Sequence, residues 1–146
     1  MNLNEQHSIE LMEKKFVMKT GGCICGKVKY KVKLDEIPKV FNCHCVDCRK
    51  KLGGINSIIA LREGALEIDK KELGVYEHPG GSGNKLKKHF CKYCAAPIFS
   101  YVEKFNTTYL YAGLLDDVSI LKKAKNIHYK NSHFPFMKIN EDEISN

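Results

Sequence analysis

The sequence contains no long apolar run. None of its 146 residues belongs to a stretch approaching the ~18 uninterrupted apolar residues of a membrane-spanning helix. The amino-terminal residues also lack the basic-then-apolar pattern and the small-residue cleavage site of a secretion signal. We therefore expect a soluble, cytoplasmic protein with no membrane partner. A length near the typical ~100–150 residues of one domain favours a single domain.

A long helical period and internal repeats are absent as well. Instead, Lys27 to Leu34 alternates lysine with valine, tyrosine or leucine, which is the pattern of a half-buried antiparallel strand. Turn-forming residues separate further strands, which we predict at residues 40–42, 57–61, 65–68, 75–76, 85–90, 97–102 and 107–114, with a helical turn at 46–52. Many short strands predict a mainly β domain.

The first 19 residues differ from the rest. Ile9, Met12 and Phe16 fall at roughly helical spacing among polar residues. This spacing predicts either a short amphipathic helix or a disordered lead. We therefore divide the chain into an amino-terminal extension at 1–19, without a catalytic role, and a domain at 20–146.

Positive charge is not concentrated in any one part of the chain. Lysine and arginine total 24 against 17 aspartate and glutamate, and the formal net charge of +7 is spread along the sequence. Such an excess favours an acidic partner, whether nucleic acid, protein or a small dicarboxylate, without selecting one. Aromatic residues interleaved on a basic stripe and known RNA-binding motifs are lacking. Nucleic acid is therefore retained only as an alternative partner.

Cysteine, by contrast, is abundant. Seven cysteines cannot all pair within one molecule, and without a secretion signal disulfides are disfavoured. A two-residue gap lets both thiols of a knuckle reach one zinc ion, and a one-residue gap on an extended strand puts both side chains on one face. Three groups have such spacing: Cys23-Ile24-Cys25, Cys43-His44-Cys45 with Cys48, and Cys91-Lys92-Tyr93-Cys94. Zinc binding is the interpretation that uses every thiol.

Two zinc ions account for the seven thiols. A closed structural site needs four thiolates from two distant pairs. The first and third groups supply such pairs: Cys23, Cys25, Cys91 and Cys94. Cys43, Cys45 and Cys48 then hold a second ion through three thiolates and leave its fourth position for water or a substrate, as in catalytic zinc sites.

Other side chains lie near the second group in sequence. In the alternative interpretation all seven cysteines serve folding, and His44, His89 or another side chain completes the second tetrahedron. On an extended backbone, however, His44 points away from the face that Cys43 and Cys45 share. Three thiolates leave Zn²⁺ with a net charge of about −1, which suits a fourth thiolate from a substrate better than water. The next residues, Arg49, Lys50 and Lys51, either neutralise such a complex and bind carboxylates or form an exposed basic turn. With His44 and His89 they are the candidate substrate-binding residues.

The neighbourhoods of the cysteines resemble a known family. Three ordered motifs carry the likeness: Gly21-Gly22-Cys23-Ile24-Cys25-Gly26, Asn42-Cys43-His44-Cys45 with Cys48-Arg49-Lys50, and Phe90-Cys91 with Cys94. From about residue 20 to residue 116 the chain is similar to the glutathione-dependent formaldehyde-activating enzyme family, also called the GFA or centromere protein V domain family. The resemblance implies a β-sandwich-like fold of short antiparallel strands. It also implies a structural zinc on the first and third cysteine groups and a second zinc on the middle group, near which glutathione binds.

The same resemblance implies an activity. The namesake enzyme joins formaldehyde to glutathione to give S-hydroxymethylglutathione, formally as a carbon–sulfur lyase. We therefore expect a zinc-dependent enzyme that acts on an adduct of an aldehyde with glutathione or another small thiol. The alternatives are a non-catalytic zinc module that binds RNA or an acidic protein, and a redox sensor in which the middle group loses zinc on oxidation.

Two segments depart from the family pattern. Ala95-Ala96 follows Cys94 where the family usually has glycine, so the turn must form without the residue that best tolerates a positive φ. Phe134-Pro135-Phe136 stands where a Pro-Trp pair is usual, and the chain has no tryptophan. Neither change removes a metal ligand.

Overall fold

The computed structural model describes residues 15–80 and 83–145. Its strands are β1 (Phe16–Gly22), β2 (Lys29–Asp35), β3 (Val40–Cys43), β4 (Asn56–Ala60), β5 (Leu66–Ile68), β6 (Leu73–Pro79), β7 (Lys85–Cys91), β8 (Pro97–Val102), β9 (Thr107–Tyr111), β10 (Lys125–Ile127) and β11 (Ile144–Ser145). Its α-helices in the described ranges are α1 (Val46–Leu52) and α2 (Tyr129–Ser132), and short 3₁₀ helices lie at Lys70–Glu72, Glu103–Phe105, Ala112–Leu114 and Glu141–Glu143. Within the described ranges, no helix has the length and apolar character needed to cross a membrane.

The strands form two sheets. One has three strands in the order β1-β2-β5, and the other has eight in the order β11-β10-β3-β4-β9-β8-β7-β6. Neighbouring strands run antiparallel except around β10, which is parallel to both β3 and β11. The prediction of a mainly β fold of short strands is confirmed, and the parallel pairs at the carboxyl-terminal edge were not expected.

The core lies between the two sheets. Tyr30, Val32 and Leu34 project from β2 of the small sheet and meet side chains of the large sheet in one buried cluster. Ile59 and Leu110 are at most 1% exposed there. Burying an aliphatic side chain of this size contributes about 1.5–3 kcal/mol, so the alternation in β2 fixes which face of the small sheet turns inward.

The amino-terminal strand begins earlier than the sequence suggested. Phe16 already pairs with Asp35 in the register of β1 and β2, so residues 16–19 are strand rather than helix. Ile9 and Met12 lie outside the described residues. The division at residue 20 between an extension and a domain therefore stays a prediction.

Candidate metal centres

The first cysteine cluster joins the turn after β1 to the end of β7. Its four sulfur atoms all lie within 4.8 Å of one another: Cys23, Cys25, Cys91 and Cys94. The Sγ atoms of Cys23 and Cys25 are 3.4 Å apart, and those of Cys25 and Cys91 are 3.7 Å apart. The structure thus brings together two pairs that are far apart in sequence, and the set has the four thiol donors of a closed tetrahedral zinc site.

Backbone amides surround these sulfur atoms. The N–H of Val28 donates to Cys23 Sγ at 3.3 Å, and the N–H of Tyr93 donates to Cys91 Sγ at 3.4 Å. Burial raises the pKa of Cys23, but the Val28 amide and the neighbouring thiols stabilise its thiolate and bring the pKa to about 6. At Cys23 the cluster therefore favours the deprotonated sulfur that a metal requires. At Cys25 the Lys27 amide lowers the pKa, but burial and the neighbouring thiols raise it to about 12.

The turn after Cys94 has the conformation that glycine adopts most easily. Ala95 has φ of 62°, in the left-handed region, and its N–H donates to the carbonyl oxygen of Cys91 at 2.9 Å. The structure thus places an alanine where the sequence comparison called for a residue that tolerates a positive φ. The turn forms at the expense of backbone strain.

The second cluster lies where β3 meets α1. Cys43 ends β3, Cys45 caps the amino terminus of α1 and Cys48 is in its first turn. Their Sγ atoms lie within 4.8 Å of one another. The Cys48 N–H donates to Cys45 Sγ at 3.3 Å, and Asn56 Nδ2 donates to Cys48 Sγ at 3.3 Å.

Protons are shared unequally in this second cluster. Hydrogen bonds from the Cys43 and Cys48 thiols lower the pKa of Cys45 to about 2. The same pairing raises the pKa of Cys43, because its thiol donates to the Cys45 sulfur and is also buried. One sulfur is thus already a thiolate when the other two still carry protons, and the three together form a donor set suited to a soft divalent ion.

No fourth ligand joins the second cluster from the part of the chain that the structure describes. Among those residues, no further His, Cys, Asp or Glu has a donor atom within 4.8 Å of all three sulfur atoms. His44 instead places Nε2 2.9 Å from Asn126 Oδ1, to which it donates. His89 stacks on Phe99 with ring centroids 4.1 Å apart.

A cavity of about 330 Å³ opens directly beside the three sulfur atoms. Its walls are largely apolar, and the polar side chains that line it come from α1, from four strands and from the residue that precedes β7: Asp47, Lys51, Asn56, His78, Asn84, Ser100 and Tyr109. A broader cavity of about 830 Å³ lies over β1, β2 and β5 and includes Cys23. None of the second cluster lines this broader cavity, so the smaller one is the candidate substrate site.

Lys51 and His78 meet at the wall of the smaller cavity. Lys51 Nζ lies 3.3 Å from His78 Nε2, and His78 Nδ1 lies 3.1 Å from the carbonyl oxygen of Pro79. A carbonyl accepts only, so Nδ1 carries the proton and Nε2 accepts from the lysine ammonium. His78 Nε2 and Lys51 Nζ therefore lie side by side at the cavity wall.

The five candidate substrate-binding residues lie in different places relative to the cavity. Lys51 lines the cavity, whereas Lys50 is exposed on the helix surface. Arg49 and His44 border a separate small cavity of about 10 Å³. His89 lines neither the cavity beside the three thiols nor this small cavity. Of the five candidates, the structure thus brings only Lys51 to the cavity beside the three thiols.

Several polar residues of this cavity were not among the candidates predicted from the sequence. Asn56, His78 and Ser100 belong to β4, β6 and β8, and no motif marks them. Asn56 lies directly opposite Cys43 in the register of β3 and β4. Only its position directly before the strand predicted at 57–61, which follows the second cysteine group, could have pointed to it.

Comparison with known proteins places the chain in a family. The family model described as glutathione-dependent formaldehyde-activating enzyme matches residues 18–131, a range that includes both cysteine clusters. The chain belongs to the glutathione-dependent formaldehyde-activating enzyme family. A crystal structure of a Rhodobacter sphaeroides protein, solved in a structural genomics programme, is similar with a TM-score of 0.54 and 23% identity over 68% of this chain and 89% of that one. At that identity the likeness supports the fold alone. No curated protein sequence matches the chain.

Membership of the glutathione-dependent formaldehyde-activating enzyme family confirms the resemblance carried by the three cysteine motifs. It supports a formaldehyde- and glutathione-related function at the level of the family. The donor chemistry of the two clusters, four thiols in one and three in the other, is consistent with zinc.

Proposed function

We propose that the protein is a zinc-dependent enzyme of the carbon–sulfur lyase type. Its substrate would be the adduct of a small aldehyde with a thiol, and formaldehyde with glutathione is the leading pair. The observation that carries this proposal is the cluster of three thiols, without a fourth ligand among the described residues, that faces a cavity of about 330 Å³. A closed structural site has four protein ligands and leaves no position for a substrate.

The two clusters would have different roles. The first would hold a structural zinc through Cys23, Cys25, Cys91 and Cys94. The second would hold zinc through Cys43, Cys45 and Cys48, where the bound ion supplies a position for the substrate sulfur and lowers the pKa of that thiol. The cysteines of the second centre are ligands in this proposal, not nucleophiles.

The chain itself would bind and orient the substrate. Lys51, half-buried at the cavity wall, offers an ammonium group to a substrate carboxylate. The apolar side chains of Phe41, Ile58 and Leu86 line the same cavity and exclude water from the reacting atoms. Fixing the thiol beside the carbonyl is the main contribution expected of such a site.

The proposed reaction conserves all atoms. The thiol sulfur forms a bond to the carbonyl carbon, the carbon–oxygen π bond breaks, and the proton lost from sulfur ends on the former carbonyl oxygen. The reverse reaction breaks the carbon–sulfur bond and returns aldehyde and thiol. Neither direction requires an oxidant or a reductant.

Exchange spectroscopy by NMR tests this proposal. Zinc-loaded wild-type protein should accelerate the exchange between formaldehyde, glutathione and their adduct, and Cys48→Ala should not. Lys50→Ala, a change on the exposed side of α1, serves as the control and should accelerate exchange like the wild type. If no acceleration occurs with formaldehyde or with several other aldehydes, the enzyme proposal is wrong. Salt-sensitive binding to RNA would then favour the non-catalytic module.

A further inference from the structure

Asn56 lies at the second metal centre without being a metal ligand. It begins β4 opposite Cys43, lines the cavity beside the three thiols, and is only 3% exposed. We propose that Asn56 positions the substrate: its amide nitrogen fixes the Cys48 sulfur, and its amide oxygen accepts a hydrogen bond from the hydroxyl group of an S-hydroxyalkyl ligand. The identity of that ligand rests on the proposed function.

Chemistry distinguishes the two ends of this amide. Asn56 Nδ2 lies 3.3 Å from Cys48 Sγ. A metal-bound cysteine is a thiolate, which accepts hydrogen bonds and donates none. The NH₂ group must therefore face the sulfur, because a flipped amide would set two acceptors against each other. The oxygen is left to face a different partner.

The amide oxygen has a free acceptor position in the described part of the chain. Asn56 Oδ1 is buried, and no side chain or backbone group in residues 15–80 and 83–145 donates to it. Buried polar atoms in native proteins are almost always hydrogen-bonded, since an unpaired acceptor has lost its bonds to water without replacement. A ligand that carries a donor would satisfy this oxygen.

This arrangement selects for one class of sulfur ligand. The hydroxyl of a hemithioacetal lies one carbon from its sulfur, so it stays close to the thiol cluster that Asn56 contacts. A thioether or a thioester carries no proton at that position and leaves the acceptor unpaired. Sites built to pair a substrate hydroxyl discriminate strongly against analogues that lack it. Asn56 would therefore make the cavity specific for hydroxyalkyl adducts.

Binding of two matched ligands tests the role of the oxygen. S-hydroxymethylglutathione and S-methylglutathione differ by the hydroxyl group alone, and titration calorimetry against the zinc-loaded chain, at one fixed formaldehyde concentration, compares their affinities. Wild-type protein should prefer the hydroxymethyl ligand by about 10-fold or more, and Asn56→Leu should reduce the preference to within about 2-fold. Ser100→Ala is the control: it removes a cavity hydroxyl that already pairs with Tyr111 Oη at 2.8 Å, and the preference should remain.

The outcomes separate this inference from the proposed function. Equal binding of the two ligands by wild type, or an unchanged preference in Asn56→Leu, overturns the role of the amide oxygen and leaves the proposed function standing. If neither ligand binds, the proposed function fails and the choice of ligand fails with it. Should Asn56→Leu not fold, Asn56→Ala carries the same expectation.

A second measurement tests the amide nitrogen without any substrate. With Co²⁺ in place of zinc, the sulfur-to-metal absorption band reports occupancy of the centres while a chelator competes for the metal. Removing a hydrogen bond to a metal ligand weakens metal binding by roughly 10- to 100-fold. In Asn56→Leu, one of the two bound Co²⁺ ions should therefore be lost at a chelator concentration about 10-fold or more below the one that wild type requires. Loss of both ions at the same chelator concentration as in wild type overturns the role of the nitrogen.

Discussion

Replacing Ala95 with glycine should stabilise the protein. Ala95 holds φ of 62° in the turn that follows Cys94, and the left-handed conformation disfavours an L-residue by about 1–2 kcal/mol. Glycine removes this strain but gains about 0.4–1 kcal/mol of conformational freedom in the unfolded chain. The net stabilisation expected of Ala95→Gly is therefore about 0.5–1 kcal/mol.

Urea unfolding measures this difference, with free zinc held constant because metal binding adds to the apparent stability. With a slope of about 1–3 kcal/mol per molar urea, the midpoint should rise by about 0.2–1 M and the slope should not change. The neighbouring Ala96 packs against the core, so Ala96→Gly is the matched control and should lower the midpoint. A midpoint for Ala95→Gly at or below that of wild type would refute the reasoning.

Three further predictions concern buried hydroxyls and the cavity. The Tyr30 hydroxyl is buried without a partner in the described residues, so Tyr30→Phe should leave the free energy of unfolding within about 1 kcal/mol of wild type or raise it. Burial raises the pKa of Tyr111 to about 12, so stability present below pH 10 should be lost as the pH rises towards 12. That loss should be smaller in Tyr111→Phe, as denaturant titrations at each pH would show. Lys51→Met should raise the KM for a carboxylate-bearing thiol adduct by about 3- to 10-fold, whereas Lys50→Met should not, and a wild-type KM in Lys51→Met would exclude the lysine from substrate binding.

Much of the fold follows from local patterns in the sequence. The alternation from Lys27 to Leu34 predicts β2 because only one face can enter the core. The short segment 46–52 was predicted as a helical turn and is α1. By contrast, β10 has three residues and no alternation, and its parallel pairing with β3 depends on the path of the whole carboxyl-terminal segment.

The candidate site was predictable only in its sulfur atoms. Chelating spacing predicts which cysteines come together because a two-residue gap and a one-residue gap are local constraints. The cavity wall is different, since His78 and Ser100 come from strands whose register is set by long-range pairing. Their sequence neighbours contain no motif, and only the folded sheet brings them to the cavity that Cys48 also lines.

The positive φ at Ala95 shows how a departure from a family pattern can be interpreted physically. The missing glycine predicted a turn that must form without the most permissive residue, and the structure shows alanine in the left-handed conformation there. The hydrogen bond from the Ala95 N–H to the carbonyl oxygen of Cys91 stabilises the turn. The first cluster is therefore closed in spite of the substitution.

Metal content tests the central claim of two zinc centres with different roles. Under metal-replete conditions, elemental analysis of the purified chain should find two zinc ions per molecule, and Cys48→Ala should retain one. Cys91→Ala, a change at the fully buried cysteine of the first cluster, should instead impair folding, because a structural ion held there would contribute to the folding free energy. A wild-type content of one zinc ion, or an unchanged content of two in Cys48→Ala, would contradict the account.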